Sequence, residues 1–234
     1  MAFPHPVPDS PKWLTYEGGD GPGKGKHIIL IAADQEYRSE QSMPMMAGIL
    51  SKHHGFDCTV LFSQDPISGE VDPTERNHIV GLEWLTTADL VVISTRFAEW
   101  DPDEMKFLDD YLRAGGPVIG IRTATHAFET VLEPDGPFAH YTWNGDDPSG
   151  GFGRVVLGTT WIDHLGVHGE QSTRAFVDDA AADHPVLRGV GEIWAETDVY
   201  EVQDLPADAT VLMRGIVLDG REPTSEPAEG ERFA

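Results

Sequence analysis

Three short runs of this chain gather side chains that bind polar groups or move protons. Asp34-Gln35-Glu36-Tyr37-Arg38, Thr95-Arg96-Phe97 and Arg122-Thr123-Ala124-Thr125-His126 together hold three arginines, two carboxylates, a tyrosine, three threonines and a histidine. The planar donor fork of arginine suits a carboxylate, a phosphate or vicinal sugar hydroxyls. Arg38, Arg96 and Arg122, with Tyr37, Thr123 and Thr125 beside them, are therefore candidate contacts for a polar small molecule. Glu36 and His126 are candidate proton carriers. His126 reads equally as a capping and packing histidine, and either threonine would need an adjacent base to act as a nucleophile where a capping or core hydroxyl is the ordinary role. Asp34 and Glu36 resemble a hydrolase acid–base pair, but alternate residues of so short a loop do not fix their separation. Each residue alone has a structural explanation, since helix N-termini attract carboxylates and arginines pair with them. The inference rests on their convergence.

A fourth run, Asp163-His164-Leu165-Gly166-Val167-His168-Gly169-Glu170, places two histidines four apart, which on a helix is one face. Gly166 argues against that helix, and Leu165 stands where the H-E-x-x-H pattern has its glutamate. His164 and His168 are candidate ligands of a metal, zinc being the one considered, with Glu170 or His126 as the third ligand. Solvated or hydrogen-bonding histidines are the alternative, and His168 is also a candidate proton carrier. The glycine-rich stretch Gly18 to Gly25 imitates a phosphate loop, but Gly25 replaces its Ser/Thr and the stretch precedes the first strand. It reads as a loop.

The elements that would position these residues alternate. Lys26 to Ala33 is a near-continuous apolar run of the kind buried in parallel sheets. A helix over about Glu40 to His53, stopped by Gly55, leads to a strand over Phe56 to Phe62. A short helix near Ile79 to Leu85 precedes a strand over Ala88 to Ser94. Asp101 as N-cap and Pro102 at the first helical position open a helix to about Ala114, and Pro117 to Ile121 is the next strand. This order predicts an α/β fold, a doubly wound, mostly parallel sheet in a three-layer α/β/α arrangement. In such sheets ligands bind beyond the carboxyl ends of the strands, where the first three runs fall. A turn-rich insertion near 133–152 frames the aromatic segment Phe138 to Trp143. Strands are expected over Thr173 to Val177, Ile193 to Val202 and Thr210 to Gly215. Residues 1–25 read as an N-terminal extension, 26–220 as one domain and 221–234 as a polar tail.

Composition narrows the partners. The 234 residues carry 40 Asp+Glu against 16 Lys+Arg, a formal net charge of -24 that repels phosphate backbones and anionic lipid. Nucleic acid and membrane are not expected partners, and the charge itself serves solubility. No apolar stretch is long enough to span a bilayer, and the chain as given has no secretory leader, so a cytoplasmic protein is expected. Cys58, the single cysteine, excludes an intrachain disulfide and a cysteine-rich zinc knuckle. A homo-oligomer is left open.

The chain resembles the ThuA-like (trehalose-utilisation) family, a branch of the class I glutamine-amidotransferase-like fold. The resemblance runs in order through E-Y-R-S (Glu36 to Ser39), T-R-F (Thr95 to Phe97), G-I-R-T-A-T-H (Gly120 to His126), G-V-H-G (Gly166 to Gly169), H-P-V-L-R-G (His184 to Gly189) and T-D-V-Y (Thr197 to Tyr200), covering about Trp13 to Asp219. It implies a flavodoxin-like sheet, a place in bacterial carbohydrate metabolism, and a small-molecule carbohydrate as ligand, with Asp198 of T-D-V-Y joining the residues that bind it. The amidotransferase cysteine position falls on Arg122, so the usual glutaminase nucleophile is absent, where many relatives carry histidine. The family continues past the position of Ala234 through a further strand pair, so this chain is expected to be a fragment. Together these features point to a protein acting on a sugar or oxidised (keto) sugar without a cysteine nucleophile, with a non-catalytic carbohydrate-binding or sensing module as the alternative.

Overall fold

The computed structural model describes residues 12–144, 147 and 149–229. Residues 1–11 of the expected extension, 230–234 of the expected tail, and Gly145, Asp146 and Pro148 of the expected insertion lie outside the described residues. The chain separates into two compact units, 1–160 and 161–234, where the sequence suggested one domain over 26–220.

In the first unit the apolar runs become strands because their side chains are needed on both faces. Strands β1 (Leu14–Tyr16), β2 (His27–Ala33), β3 (Asp57–Phe62), β4 (Leu90–Thr95) and β5 (Val118–Gly120) hydrogen-bond in the order β1-β3-β2-β4-β5. All pairs are parallel except β1 against β3. Alternation along β2 sends Ile29 and Ile31 into one core and Ile28, Leu30 and Ala32 into another. The first core is closed by Met105 and Leu108 of α2 (Pro102–Arg113), the second by Met43 and Ala47 of α1 (Ser39–His54). Helices thus cover both faces of a mostly parallel sheet, an α/β fold. Each fully buried Ile or Leu contributes roughly 1.5–3 kcal/mol relative to exposure.

The helix ends follow the local chemistry. The Asp101 carboxylate accepts the Asp103 N–H at 2.8 Å, and Pro102 occupies a position whose amide would have no helical partner. Gly55 ends α1 in the left-handed conformation (φ 78°), its N–H directed to the carbonyls of the last turn. The glycine-rich stretch packs on that helix end, with Gly23 N–H donating to the His54 carbonyl at 2.8 Å and Gly18 N–H to the Asp57 carboxylate at 2.8 Å. The segment expected as a short helix is a 3₁₀ turn over Leu82–Thr87. The turn-rich region contributes single bridges, Ala98 to Phe128 and Phe128 to Thr142, and a 3₁₀ turn over Ala139–Tyr141.

The second unit is built from short antiparallel pieces. β7 (Ser172–Val177) lies between β10 (Met213–Leu218) and β8 (Ile193–Ala195), and β6 (His164–Leu165) pairs with β9 (Val199–Tyr200). The run from Ile193 to Val202 is therefore two strands rather than one, broken at Glu196-Thr197-Asp198, and the strand expected over 210–215 sits at 213–218. Among the described residues no helix is long and apolar enough to cross a membrane.

Candidate functional site

Asp34 is the first residue after β2 and is fully buried. One carboxylate oxygen accepts the backbone N–H groups of Glu36 at 2.8 Å and Tyr37 at 3.3 Å, which folds the loop back on itself. The other accepts the hydroxyl of Thr123 from the turn after β5, with the Ser94 hydroxyl of β4 at 3.5 Å. The Ser39 hydroxyl, at the start of α1, accepts the Asp34 N–H and donates to the Asp34 carbonyl. A buried carboxylate is tolerable only with such donors. Asp34 is thus a positioning residue that ties the loop after β2 to β4 and to the turn after β5.

What it positions is a rim of unusual backbone. Arg38 (φ 52°), Phe97 (φ 47°) and Arg122 (φ 41°) are left-handed non-glycine residues, one on each loop following β2, β4 and β5. Each such conformation costs about 1–3 kcal/mol and persists only where its surroundings impose it. At Phe97 those surroundings include the His126 carbonyl, which accepts its N–H at 3.1 Å.

The side chains so displayed meet one another. Arg96 Nε lies 2.9 Å from the Glu36 carboxylate, with both side chains partly exposed. The Arg96 guanidinium stands 4.7 Å from the Phe97 ring centre, and that of Arg122 stands 4.5 Å from the Tyr37 ring. Phe97 continues into an aromatic group with His126 at 4.8 Å and Trp143 at 5.3 Å between ring centres. Glu36 with Arg96, and Tyr37 with Arg122, thus form two contacting pairs on the loops at the carboxyl ends of the strands. Arg38 is exposed at the start of α1. Thr123 is buried on Asp34, Thr125 donates to the Arg122 carbonyl at 3.1 Å, and His126 is buried among aromatic rings. Cys58, in β3, is buried, and burial together with the nearby Asp57 charge pushes its thiol up to about 11, so it offers no thiolate near neutral pH.

The second unit holds the other candidate residues. His164 lies in β6, and Gly166 (φ 99°) reverses the chain so that His168 returns toward it, which replaces the helical face considered from spacing with a strand and turn. β6 pairs with β9, and Asp198 immediately precedes β9. Its carboxylate receives Nδ1 of His164 on one oxygen and, on the other, Nδ1 of His168 at 2.8 Å and the Thr197 hydroxyl at 3.0 Å. The Asp198 side chain is 0% exposed, that of His164 30% and that of His168 56%. The His164 ring packs against Trp161 at 5.6 Å and Tyr200 at 5.1 Å between centres. Asp198, which the resemblance assigns to ligand binding, is the carboxylate at the two histidines, the place that the sequence alone offers to Glu170 or His126. His126 belongs to the first unit.

Sequence reasoning reaches Asp34 and Asp198 but not the roles they have here. Asp34 stands directly after a fully apolar strand, but the partners that make it a positioning residue lie as far as 89 residues away. Asp198 meets its histidines through the β6–β9 pairing, 34 and 30 residues back, and no local pattern signals that meeting.

No family model matches the chain, and no curated protein is similar to it in sequence. Among solved structures, that of a "putative ThuA-like protein" from Parabacteroides merdae is similar to it, with a TM-score of 0.51, 87% of this chain and 74% of that chain covered, and 17% identity. At that identity the likeness is one of architecture: the chain shares the fold of a ThuA-like protein.

Proposed function

We propose that the first unit binds a sugar or oxidised (keto) sugar at the rim formed by Glu36, Tyr37, Arg96 and Arg122, and that the protein acts on it in bacterial carbohydrate metabolism without a cysteine nucleophile. The observation that carries this reading is the strained rim itself. Three left-handed non-glycine residues follow three neighbouring strands, and the groups they display combine donor forks, a carboxylate and aromatic faces. Sugars ask for that combination, because their hydroxyls need paired donors and acceptors while their C–H faces pack on rings. The position after strands of a parallel sheet is the one such folds use for ligands, and the flavodoxin-like winding expected from the ThuA resemblance is consistent with it. Within this reading Glu36, 2.9 Å from Arg96, is the proton carrier, while Arg96 and Arg122 orient substrate oxygens.

The alternative, a binding module without turnover, draws on the burial of Thr123 and His126, which withdraws a hydroxyl and an imidazole from the rim. Thermal-shift and calorimetric titration against mono-, di- and keto-sugars tests the common premise. A stabilising sugar is expected whose effect is lost in Arg122→Ala and whose turnover, but not binding, is lost in Glu36→Gln. Binding that survives Arg122→Ala, or a panel without any stabilising sugar, overturns the rim as the site. Binding with no turnover by the unaltered protein establishes the module instead.

A further inference from the structure

The three side chains His164, His168 and Asp198 are a second feature with chemistry of its own, confined to the second unit. We infer that they form a binding site for one divalent transition-metal ion of the zinc type, with a coordination position left open on the His168 side. The inference does not depend on the sugar reading of the first unit.

The residue types suit the ion. Imidazole nitrogen and carboxylate oxygen are the ligands of borderline metals, and three protein ligands rather than four are the pattern of sites that keep a place for water or substrate. The geometry suits it as well. The candidate ligand atoms lie within 4.8 Å of one another, and both imidazoles turn the same atom, Nδ1, toward the two oxygens of a single carboxylate. That carboxylate is wholly buried, and a divalent cation taking the place of the protons shared between the Nδ1 atoms and Asp198 would meet its charge directly.

The surroundings are constructed rather than incidental. Trp161 and Tyr200 fix the plane of the His164 ring, and the Thr197 hydroxyl fixes one Asp198 oxygen. Supports of this kind hold ligands in orientation. Gly166 makes the turn that returns His168: its φ of 99° disfavours any side chain, and a Cβ there would approach Val217 to 3.1 Å. The exposed ring of His168 leaves one side of the cluster open to solvent, where a water or an oxygen of a small molecule completes the coordination.

The test uses the full chain with its affinity tag removed. Protein stripped with EDTA and titrated with zinc chloride is expected to bind one equivalent, measured by elemental analysis after desalting, and to gain a higher Tm. Cobalt(II) in place of zinc is expected to give visible d–d absorption. His168→Ala, a change at a half-exposed side chain, is expected to leave the metal-free Tm nearly unchanged while lowering zinc affinity by at least about 10–100-fold, the loss found even for residues that only support a ligand. Asp198→Asn is expected to lower it as well. Fewer than about 0.1 equivalents on the unaltered protein, or His168→Ala binding zinc as tightly as the unaltered chain, overturns the assignment; the first outcome would leave the cluster a hydrogen-bonded His–Asp–His group.

Discussion

Asp34 illustrates how much a single buried carboxylate can decide. Its two oxygens receive two backbone amides of its own loop and the Thr123 hydroxyl from another, so the relative placement of Glu36 and Arg122 depends on it. Thr123→Val keeps the shape of that side chain and removes only the donor, leaving the carboxylate oxygen with the distant Ser94 hydroxyl. An acceptor stripped of its donor in a buried site costs about 1–3 kcal/mol, so a loss of that size is expected in urea denaturation. Thr125→Val is the control: its hydroxyl serves the carbonyl of its own turn from a partly exposed position, and a loss within about 1 kcal/mol is expected. Equal losses for the two would remove Asp34 from its organising role. The composition of the rim loops was readable from their place after apolar strands. The division of labour between Asp34, which positions, and Glu36, which faces outward, was not, because it depends on which carboxylate the fold buries.

At the scale of elements, the segment after Phe128 shows how irregular chain is fixed without a strand or helix. Glu99 is buried, and its carboxylate accepts the backbone N–H groups of Val131, Leu132 and Glu133 at 2.7–2.9 Å. Val131 and Leu132 expose their side chains, so the amides rather than apolar burial hold this stretch. Glu99→Gln replaces an acceptor oxygen with an NH₂ that faces donors. A loss of about 2–3 kcal/mol is expected from charge-assisted bonds of this kind, together with faster proteolysis between residues 129 and 138. Unchanged stability and cleavage would mean the loop is held by its neighbours instead. Elements whose signals are local were legible in the sequence: the Asp101-Pro102 start of α2, the Gly55 stop of α1 and the apolar run of β2. Those defined by a distant partner were not. β1 is three residues long and exists through its pairing with β3. β8 and β9 divide where Asp198 must turn inward to its histidines, a demand that strand propensity does not contain.

For the whole molecule, the distribution of buried apolar surface predicts two levels of local stability. Both hydrophobic cores lie in the first unit, where β2, β3 and β4 are buried on both faces. In the second unit the buried apolar side chains among the described residues are Ala181, Leu187, Val217 and Leu218. Local opening is governed by such burial, so amide exchange is expected to be slowest in β2 to β4 and much faster in β6, β8 and β9. The net charge of -24 adds a further term, because an acidic molecule concentrates cations around its whole surface. A zinc-dependent rise in Tm could therefore come from diffuse screening as well as from a site, and the exchange map separates the two. An ion held by His164, His168 and Asp198 slows exchange in β6, in β9 and across Gly166 to Gly169, and leaves β2 to β4 as they were. Screening slows exchange broadly, and sodium chloride at higher concentration reproduces it. Exchange recorded on the metal-free chain, with zinc, and with salt alone is expected to show the localised pattern for zinc only; a zinc map that matches the salt map would mean that the charge of the surface, not the His–Asp–His cluster, is what the cation meets.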